Sequence, residues 1–205
     1  MPRGFSDSQI QTFQKKLIAA AFAALKNTGV RKTTVQSLVK AAGLSVGAFY
    51  KFYPSKEALF FEAYEITEER LKDQFLSLLQ AAPEVSPQAV CAILKQIFYS
   101  ETMDALLLLM QKEELDYMLR SIDPETVNLH MQKDYEFLQA VFDRFNKAGL
   151  KVKIDISLLL DYLQALFVLC AEKHLYPQHA KTIIEGFIDM VVAQTIAPGP
   201  GEGKC

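Results

Sequence analysis

The chain has 205 residues, of which half are hydrophobic and 22% are charged, and its formal net charge is −2. This composition is typical of a folded protein rather than a disordered one, and the length fits one large or two small domains. No apolar run reaches the roughly 18 uncharged residues that a membrane span needs, and the first residues lack the apolar segment of a signal peptide, so we expect a cytoplasmic protein without a membrane partner.

The charge is unevenly distributed along the chain. Residues 1–56 hold nine Lys or Arg and a single acidic residue, Asp7, whereas the remainder holds 13 basic and 23 acidic residues. A basic N-terminal segment in an otherwise acidic chain is typical of a domain that binds the phosphates of a nucleic acid. A solvated charged face would explain the asymmetry equally well if it stood alone.

The first predicted helix begins after Ser6, which forms the pattern of a capping box with Gln9. Its apolar stripe ends before Gly29, a residue type that commonly follows a helix. The loop after it carries Arg31 and Lys32, which are placed to meet DNA phosphates, although exposed basic loop residues are usually only solvated. This helix is expected to brace the two that follow it.

Residues 33–56 contain two short helical patterns on either side of a glycine. Thr33 is predicted to cap the first helix, with Gln36 completing a capping box. Gly43 ends this helix, because glycine accepts a left-handed conformation without strain at the Cβ position.

The second pattern follows directly. Ser45 is predicted to cap a short helix over residues 46–53, and Ser55, after Pro54, is predicted to cap a longer one. A helix, a glycine turn and a short second helix are the parts of a helix-turn-helix, whose second helix enters the major groove of DNA.

The side chains around this second helix suit contact with DNA. Small side chains at positions 46–48 would let the helix backbone approach base edges, and Tyr50 and Lys51 would offer a hydroxyl and an ammonium to phosphates. Lys56 would lie beside the free amides at the start of the next helix and would help to hold an anion there.

The same region resembles the DNA-binding signature of the TetR/AcrR-type bacterial transcriptional regulator family. The matching residues read T-T-V-Q-x-L-V-K-A-A-G and then G-L-S-x-G-x-F-Y-x-x-Y-P-S-K-E-A-L. The resemblance runs from Phe13 to about Phe61, with departures at Phe52, where the family often has His, and at Tyr53, where Phe is usual. It implies a helical, ligand-controlled regulator that is usually a repressor.

The resemblance also implies roles for individual residues. Phosphate contacts would come from Thr34, Tyr50 and Lys56. The residues nearest the bases would be Gln36, Val46, Gly47 and Ala48. The full set of predicted DNA-binding residues is Thr33, Thr34, Gln36, Ser45, Val46, Gly47, Ala48, Tyr50, Lys51 and Lys56.

Beyond residue 54 the pattern is helical throughout. Helices are predicted from Ser55 to about Ala82 and at about 86–100, 101–120 with an interruption, 124–147, 156–175 and 177–196. No strand pattern exceeds a few residues, and Lys151 to Asp155 is the nearest to one. We therefore predict an all-α fold of about nine helices, with a helix-turn-helix domain at 1–54, a helical ligand-binding and dimerisation domain at 55–196 and a disordered tail at 197–205.

The last two predicted helices are apolar over much of their surface. The residues concerned are Leu158, Leu159, Leu160, Leu163, Leu166, Phe167, Leu169, Ile183, Ile184, Phe187, Ile188, Val191 and Val192. A helix that is apolar around most of its circumference must be buried on both sides. The family resemblance supplies the same two helices of a second subunit as the partner, which predicts a homodimer on double-stranded DNA with a palindromic operator.

Flexible and aromatic side chains are numerous in the predicted helical body, and such side chains suit a pocket for a small, mostly apolar effector. Filling of the core explains any one of them nearly as well. The candidate ligand-binding residues are Tyr64, Phe75, Phe98, Met103, Met110, Asn128, Met131, Tyr135 and Phe167.

No motif indicates an enzyme, a cofactor or a metal site. Cys170 and His174 lie one helical turn apart, but two ligands do not close a metal site. Two alternatives to the regulator stay open. One is an all-helical scaffold or enzyme that uses the hairpin for protein contact, and the other is a redox regulator that acts through Cys91 or Cys170.

Overall fold

The computed structural model describes residues 6–199, apart from the side chains of Asp7 and Lys112. Within this range the chain forms eleven α-helices, one 3-10 turn and one two-stranded sheet, which confirms the predicted all-α class. The helices are α1 (Asp7–Asn27), α2 (Gly29–Lys32), α3 (Val35–Ala42), α4 (Val46–Phe49), α5 (Lys56–Ala81), α6 (Pro87–Phe98), α7 (Glu101–Leu109), α8 (Lys112–Leu119), α9 (Pro124–Lys147), α10 (Ile156–Ala171) and α11 (Ala180–Thr195).

Most helix starts follow from short polar side chains that accept a backbone N–H. The predicted capping box at the start of α1 is confirmed, since the Ser6 side chain accepts from the Gln9 amide and the Gln9 side chain accepts from the Ser6 amide. Asp155 caps α10 in the same way, with 2.8 Å between its carboxylate oxygen and the Leu158 amide nitrogen. Such caps are each worth about 1 kcal/mol.

The predicted cap of α3 is wrong by one residue. Thr34 is the N-cap, and its hydroxyl accepts from the Ser37 amide in a capping box that involves Ser37 rather than Gln36. Thr33 is buried, and its hydroxyl donates to the Gly29 carbonyl at 2.6 Å. The bond that Thr33 makes to the preceding turn therefore leaves Thr34 to cap the helix.

Other boundaries also differ from the prediction. The short helix α4 ends at Phe49 and continues as turns rather than reaching Tyr53. The helix predicted to begin after Pro177 starts at Ala180, after a 3-10 turn at Lys173–Leu175.

The contacts within the chain divide it into two compact units. One comprises the described residues up to Glu68 together with Leu108–Val127, and the other comprises Glu69–Leu107 and the described residues from Asn128 onward. Helix α5 therefore contributes to both units. The predicted division after residue 54 into a helix-turn-helix domain and a ligand-binding and dimerisation domain stays a prediction.

The first unit has a core built from α1, α3, α4, α5 and α8. Its fully buried side chains include Leu17, Leu38, Phe49 and Phe60. Met118 of α8 joins the same cluster although it lies more than 50 residues further along the chain. Helix α8 is thus an integral part of the unit that contains the helix-turn-helix.

The second unit has a core in which α6, α10 and α11 pack together. The rings of Phe98 and Phe167 are 5.7 Å apart at their centroids. Ile188 and Leu166 are almost completely buried, in keeping with the apolar character of the last two helices.

A small antiparallel sheet adds two three-residue strands to the all-α fold, and its second strand includes Ala197 and Pro198, which were predicted to begin a disordered tail. Strand β1 (Leu150–Val152) pairs with β2 (Ile196–Pro198), with Lys151 opposite Ala197. The alternation at 150–152 is too short to be seen as a strand without its partner strand. Residues 200–205 of the predicted tail lie outside the described residues.

Among residues 6–199, no helix combines the length and the apolar character that crossing a membrane requires.

Candidate nucleic-acid interface

The turn between α3 and α4 is closed by backbone hydrogen bonds. Gly43 adopts the left-handed conformation predicted for it, with φ of +68°. The Leu44 amide then donates to the Val39 carbonyl at 2.8 Å, which ends α3. The Ser45 hydroxyl accepts from the Ala48 amide at 3.1 Å and begins α4 as predicted.

One side of this helix-turn-helix is fixed in the core. Leu38 and Val39 of α3, Phe49 of α4 and Tyr53 after it are all buried. The Phe49 ring also contacts the Tyr53 ring, with 5.7 Å between centroids. Because four apolar side chains hold the two helices, the orientation of the outer face is determined by the core.

The outer face carries most of the predicted DNA-binding residues. Val46 is 38% exposed and Tyr50 is 56% exposed. A Cβ atom added at Gly47 would meet no atom within 4 Å, so the backbone of α4 is open to close approach at this point. The other exposed members of the predicted set are Thr34, Gln36, Ser45 and Lys51.

The structure places three of the ten predicted residues elsewhere. Thr33 and Ala48 are buried, so neither side chain lies on the outer face. Ala48 lies next to Phe49 on the side of α4 that faces the core.

Lys56 also differs from its prediction. Its ammonium donates to the carbonyl oxygens of Val30 at 2.6 Å and Arg31 at 3.0 Å, and only 14% of its side chain is exposed. It lies 3.6 Å from the Glu57 carboxylate. Within this structure Lys56 holds α2 rather than offering its charge to an anion.

The opposite side of α2 is held by a residue that the sequence analysis did not single out. One carboxylate oxygen of Glu114 in α8 accepts from the backbone amides of Val30 at 2.5 Å and Arg31 at 3.1 Å. The Tyr117 ring lies beneath the Lys56 ammonium, which is 5.1 Å from the ring centroid. We call Glu114, Tyr117 and Lys56 the α2 clasp.

No local pattern could have revealed this clasp, because Glu114 lies 84 residues from Val30. The one available signal is Gly29. Its φ is +72°, and a Cβ atom there would lie 2.7 Å from a Glu114 carboxylate oxygen. A hydrogen bond to Glu57 together with burial raises the pKa of Tyr117, so the phenol remains protonated beside the clasp.

Residues 17–63 match the sequence model of the family described as bacterial regulatory proteins, tetR family. The match spans the second half of α1, all of α2, α3 and α4 and the first part of α5, and it includes the helix-turn-helix. These residues therefore form a helix-turn-helix DNA-binding domain of the tetR type, the domain of a transcriptional regulator. No curated protein matches the sequence.

Solved structures share the fold over nearly the whole chain. A TetR family transcription regulator from Marinobacter aquaeolei VT8 is 18% identical, with a TM-score of 0.57 over 93% of this chain and 99% of that one. SmeT, the repressor of the Stenotrophomonas maltophilia multidrug efflux pump SmeDEF, is 18% identical, with a TM-score of 0.63 over 94% and 96%. The fatty acid degradation regulator FadR from Bacillus halodurans is 14% identical, with a TM-score of 0.60 over 93% and 97%. At these identities the similarity concerns the fold alone.

The predicted ligand-binding residues are not gathered at one place. Asn128, Met131 and Tyr135 of α9 are exposed, with Met131 at 61%. Tyr64 and Met110 belong to the first unit, and Tyr64 stacks on Phe61. The spacing of apolar residues indicates the inward face of one helix but not which helices meet around a pocket, so these residues could not be assigned to one site from the sequence.

The remaining candidates lie in the second unit. Phe98 and Met103 are buried, and Phe167, partly buried, packs against Phe98. Phe75 on α5 is partly buried. A surface groove of about 460 Å³ between α6 and α11 is lined by other residues, including Cys91, and by none of the nine candidates.

The two cysteines within the described range have environments that favour the protonated thiol. Burial raises the pKa of Cys91 to about 11, and a hydrogen bond to Asp189 adds to the effect. Burial likewise raises the pKa of Cys170 to about 11. Since the thiolate is the reactive form, these values disfavour the redox-regulator alternative.

Proposed function

We propose that this TetR-family regulator is a cytoplasmic repressor that binds a palindromic operator in duplex DNA as a homodimer. A small, mostly apolar molecule would release it from the DNA. The observation that carries the proposal is the outer face of α3 and α4, where polar and small side chains are exposed on a helix pair that the core holds rigidly.

The outer face supplies both kinds of contact that a DNA reader needs. Tyr50 and Lys51 stand at the end of α4 and would hold phosphates, which fix position without reading sequence. Gln36 can hydrogen bond to a base edge, and the exposed Val46 side chain can contact a thymine methyl group. The open space at Gly47 would let the α4 backbone enter the major groove closely.

The charge distribution supports the same assignment. The described part of residues 1–56 contributes Lys40, Lys51 and Lys32 as exposed cations near these helices in sequence. The rest of the chain is acidic overall. A nucleic acid would therefore be attracted to the helix-turn-helix and repelled by the body.

The proposed dimer rests on apolar side chains left exposed on α10 and α11. Leu158 and Leu160 are 40% and 38% exposed, and Val168 is 56% exposed. Ile183 and Met190 lie seven residues apart on one stripe of α11 and are also exposed. Exposed apolar area on two neighbouring helices is typical of an interface between subunits. A symmetric pair would set two reading helices roughly 34 to 36 Å apart, one turn of DNA.

The proposed effector would bind in the second unit, where Phe98 packs against Phe167 and Met103 is also buried. Two structures with this fold belong to a repressor of a multidrug efflux pump and to a regulator of fatty acid degradation. Their functions are compatible with apolar effectors, and we extend that class to this chain. Helix α5 contributes to both units, so a ligand that displaces its second half would disturb the helix-turn-helix.

A selection experiment tests this function. The purified chain is mixed with a random duplex library, and the retained fragments are sequenced over several rounds. We expect enrichment of an inverted repeat whose halves are one helical turn apart. A matched selection with Tyr50→Phe combined with Lys51→Met serves as control and should retain much less DNA. Retention of unrelated sequences by both proteins would contradict the proposal.

A further inference from the structure

The four-residue helix α2 depends on partners outside itself. A single helical turn gains too little from its own hydrogen bonds to form alone, and its first amides have no acceptors within the helix. Glu114 accepts from two of these amides, and Lys56 donates to the carbonyls of the same two residues, Val30 and Arg31. The conformation of α2 is therefore set jointly by α8 and by the start of α5.

Helix α2 leads directly into the DNA-facing part of the chain. The Thr33 hydroxyl donates to the Gly29 carbonyl at 2.6 Å and lies 2.8 Å from the Thr28 hydroxyl. Residues 28–33 therefore form a segment whose two ends are joined by side-chain hydrogen bonds. The next residue, Thr34, is the N-cap of α3. A change in α2 would alter the start of the first helix of the helix-turn-helix.

Helix α8 is short and lacks a side-chain cap at its start. An eight-residue helix is marginal on its own, so it is held by its docking. Met118 enters the core, while Glu114 and Tyr117 meet α2 and Lys56. The chain reaches α8 from the second unit at Leu108 and returns to that unit after Val127.

We propose that α8 regulates DNA binding by stabilising the conformation of α2, that displacement of α8 removes this stabilisation, and that Glu114 is the positioning residue. When Glu114 accepts from the Val30 and Arg31 amides, residues 28–33 hold α3 in the conformation that binds DNA. When α8 is displaced, these hydrogen bonds are lost, α2 becomes less ordered and DNA affinity falls. The inference rests on the proposed DNA-binding function and adds the route by which a change in the second unit reaches it. Glu114 itself lies within the protein and is not assigned a contact with DNA.

The neighbouring Glu113 offers a matched control. It pairs with Arg31 at 3.4 Å, but its side chain is 84% exposed and that of Arg31 is 54% exposed. Exposed ion pairs contribute little. Glu113→Ala removes the same charge from the same turn of α8 without touching the backbone of α2.

The test uses the full chain, the duplex enriched by the wild-type protein and hydrogen exchange of the Val30 and Arg31 amides. Glu114→Ala should weaken DNA binding about tenfold, since charge-assisted hydrogen bonds to two amides are lost. Exchange at these two amides should accelerate, while amides in the middle of α1 stay protected. Glu114→Gln should lose less DNA affinity, because the uncharged amide oxygen still accepts a hydrogen bond. If Glu114→Ala does not fold, Glu114→Gln takes its place in the same test.

Two further readouts separate positioning from general stability. Adding the enriched duplex to the wild-type chain should slow exchange at Val30 and Arg31, because the coupling is reciprocal. Glu113→Ala should change DNA affinity by no more than about twofold. Wild-type affinity and wild-type exchange in Glu114→Ala would overturn the inference alone. A wild-type chain that enriches no duplex would overturn the proposed function and the inference with it.

Discussion

The Lys56 ammonium donates a hydrogen bond of 2.6 Å to the Val30 carbonyl, 26 residues earlier in the chain. The bond links the start of α5 to α2 across the helix-turn-helix. A second bond, to Arg31, and the Tyr117 ring leave the side chain mostly buried. We therefore expect Lys56 to support DNA binding through the structure of the unit rather than through a contact with phosphate.

Lys56→Met should lower the free energy of unfolding of the first unit by about 2 kcal/mol, because two charge-assisted bonds are lost and two carbonyls are left without their donor. The salt dependence of DNA binding should keep its slope. Urea unfolding and a salt titration of DNA affinity measure the two effects.

Lys51→Met is the matched control, since Lys51 is exposed at the end of α4. This change should leave stability within about 0.5 kcal/mol. It should reduce the slope of log affinity against log salt by about 0.9, the value for one phosphate contact. If Lys56→Met reduced the slope and Lys51→Met did not, the assignment of the two lysines would be reversed.

Tyr50→Phe should weaken binding to the enriched duplex and to unrelated duplexes by the same factor, about three- to tenfold. The reason is that a hydroxyl bound to phosphate carries no sequence information. The ring is 56% exposed, so the unfolding midpoint should not move. Tyr99→Phe, at a 50% exposed tyrosine in the second unit, is the control. A loss confined to one sequence would assign Tyr50 to a base instead.

Gln36→Ala and Val46→Ala should change which sequence is preferred, since both exposed side chains lie where base edges would be. Each contact removed should lower discrimination at one position by about 1 to 3 kcal/mol. Repeating the duplex selection with each variant measures this directly. Gln132→Ala in α9 provides a control that should keep the wild-type preference. An unchanged DNA sequence preference in both Gln36→Ala and Val46→Ala would exclude these residues from base recognition.

The helix-turn-helix was predictable because its signals are local. Gly43 ends α3 and Ser45 caps α4 through contacts with residues next to them in the sequence, and both were predicted correctly. Thr33 and Thr34 are chemically equivalent as caps, and the structure distinguishes them because the Thr33 hydroxyl bonds to the Gly29 carbonyl four residues earlier. The residue that caps α3 could therefore be predicted only to within one position.

Contacts between residues that are far apart in the sequence could not be predicted. Glu114 looks like any exposed acidic residue of a short helix, and nothing near it indicates that its partners are the amides of Val30 and Arg31. The same limit applies to Met131 and Tyr135, whose apolar surface suggested a pocket but which face outward. The spacing of the buried residues Leu138, Val141, Phe142 and Phe145 fixes the inward face of α9, but it does not show whether a neighbouring element covers Met131 and Tyr135 earlier in the helix.

Val168→Glu should convert the proposed dimer into a monomer. The side chain is 56% exposed in the single chain, so a glutamate is tolerated in the fold but would be desolvated within a dimer interface. Met131→Glu, at a 61% exposed position on α9, should leave the dimer intact. Multi-angle light scattering at micromolar concentration distinguishes the two. A wild-type monomer that still binds the enriched duplex would contradict the dimer.

Cys91 and Cys170 should react slowly at neutral pH, with rates that rise about tenfold per pH unit toward pH 11. With pKa values of about 11, roughly one thiol in a thousand or fewer is ionised near pH 7.5. Raised folded-state values also mean that the stability they contribute is present below about pH 9 and is lost as the pH rises through about 11.

Alkylation by iodoacetamide in a Cys205→Ser background measures these rates. Peroxide at neutral pH should then leave DNA affinity unchanged. Alkylation as fast as that of free cysteine, accompanied by loss of DNA binding, would restore the redox alternative.

The central claim is that the outer face of α3 and α4 reads DNA sequence. The most direct measurement compares the affinity of the full chain for the enriched duplex with that for a scrambled duplex of the same composition, at about 150 mM salt. We predict binding to the enriched duplex at least about 10³-fold tighter, the difference expected of a specific reader. Equal affinities for the two duplexes would contradict the claim.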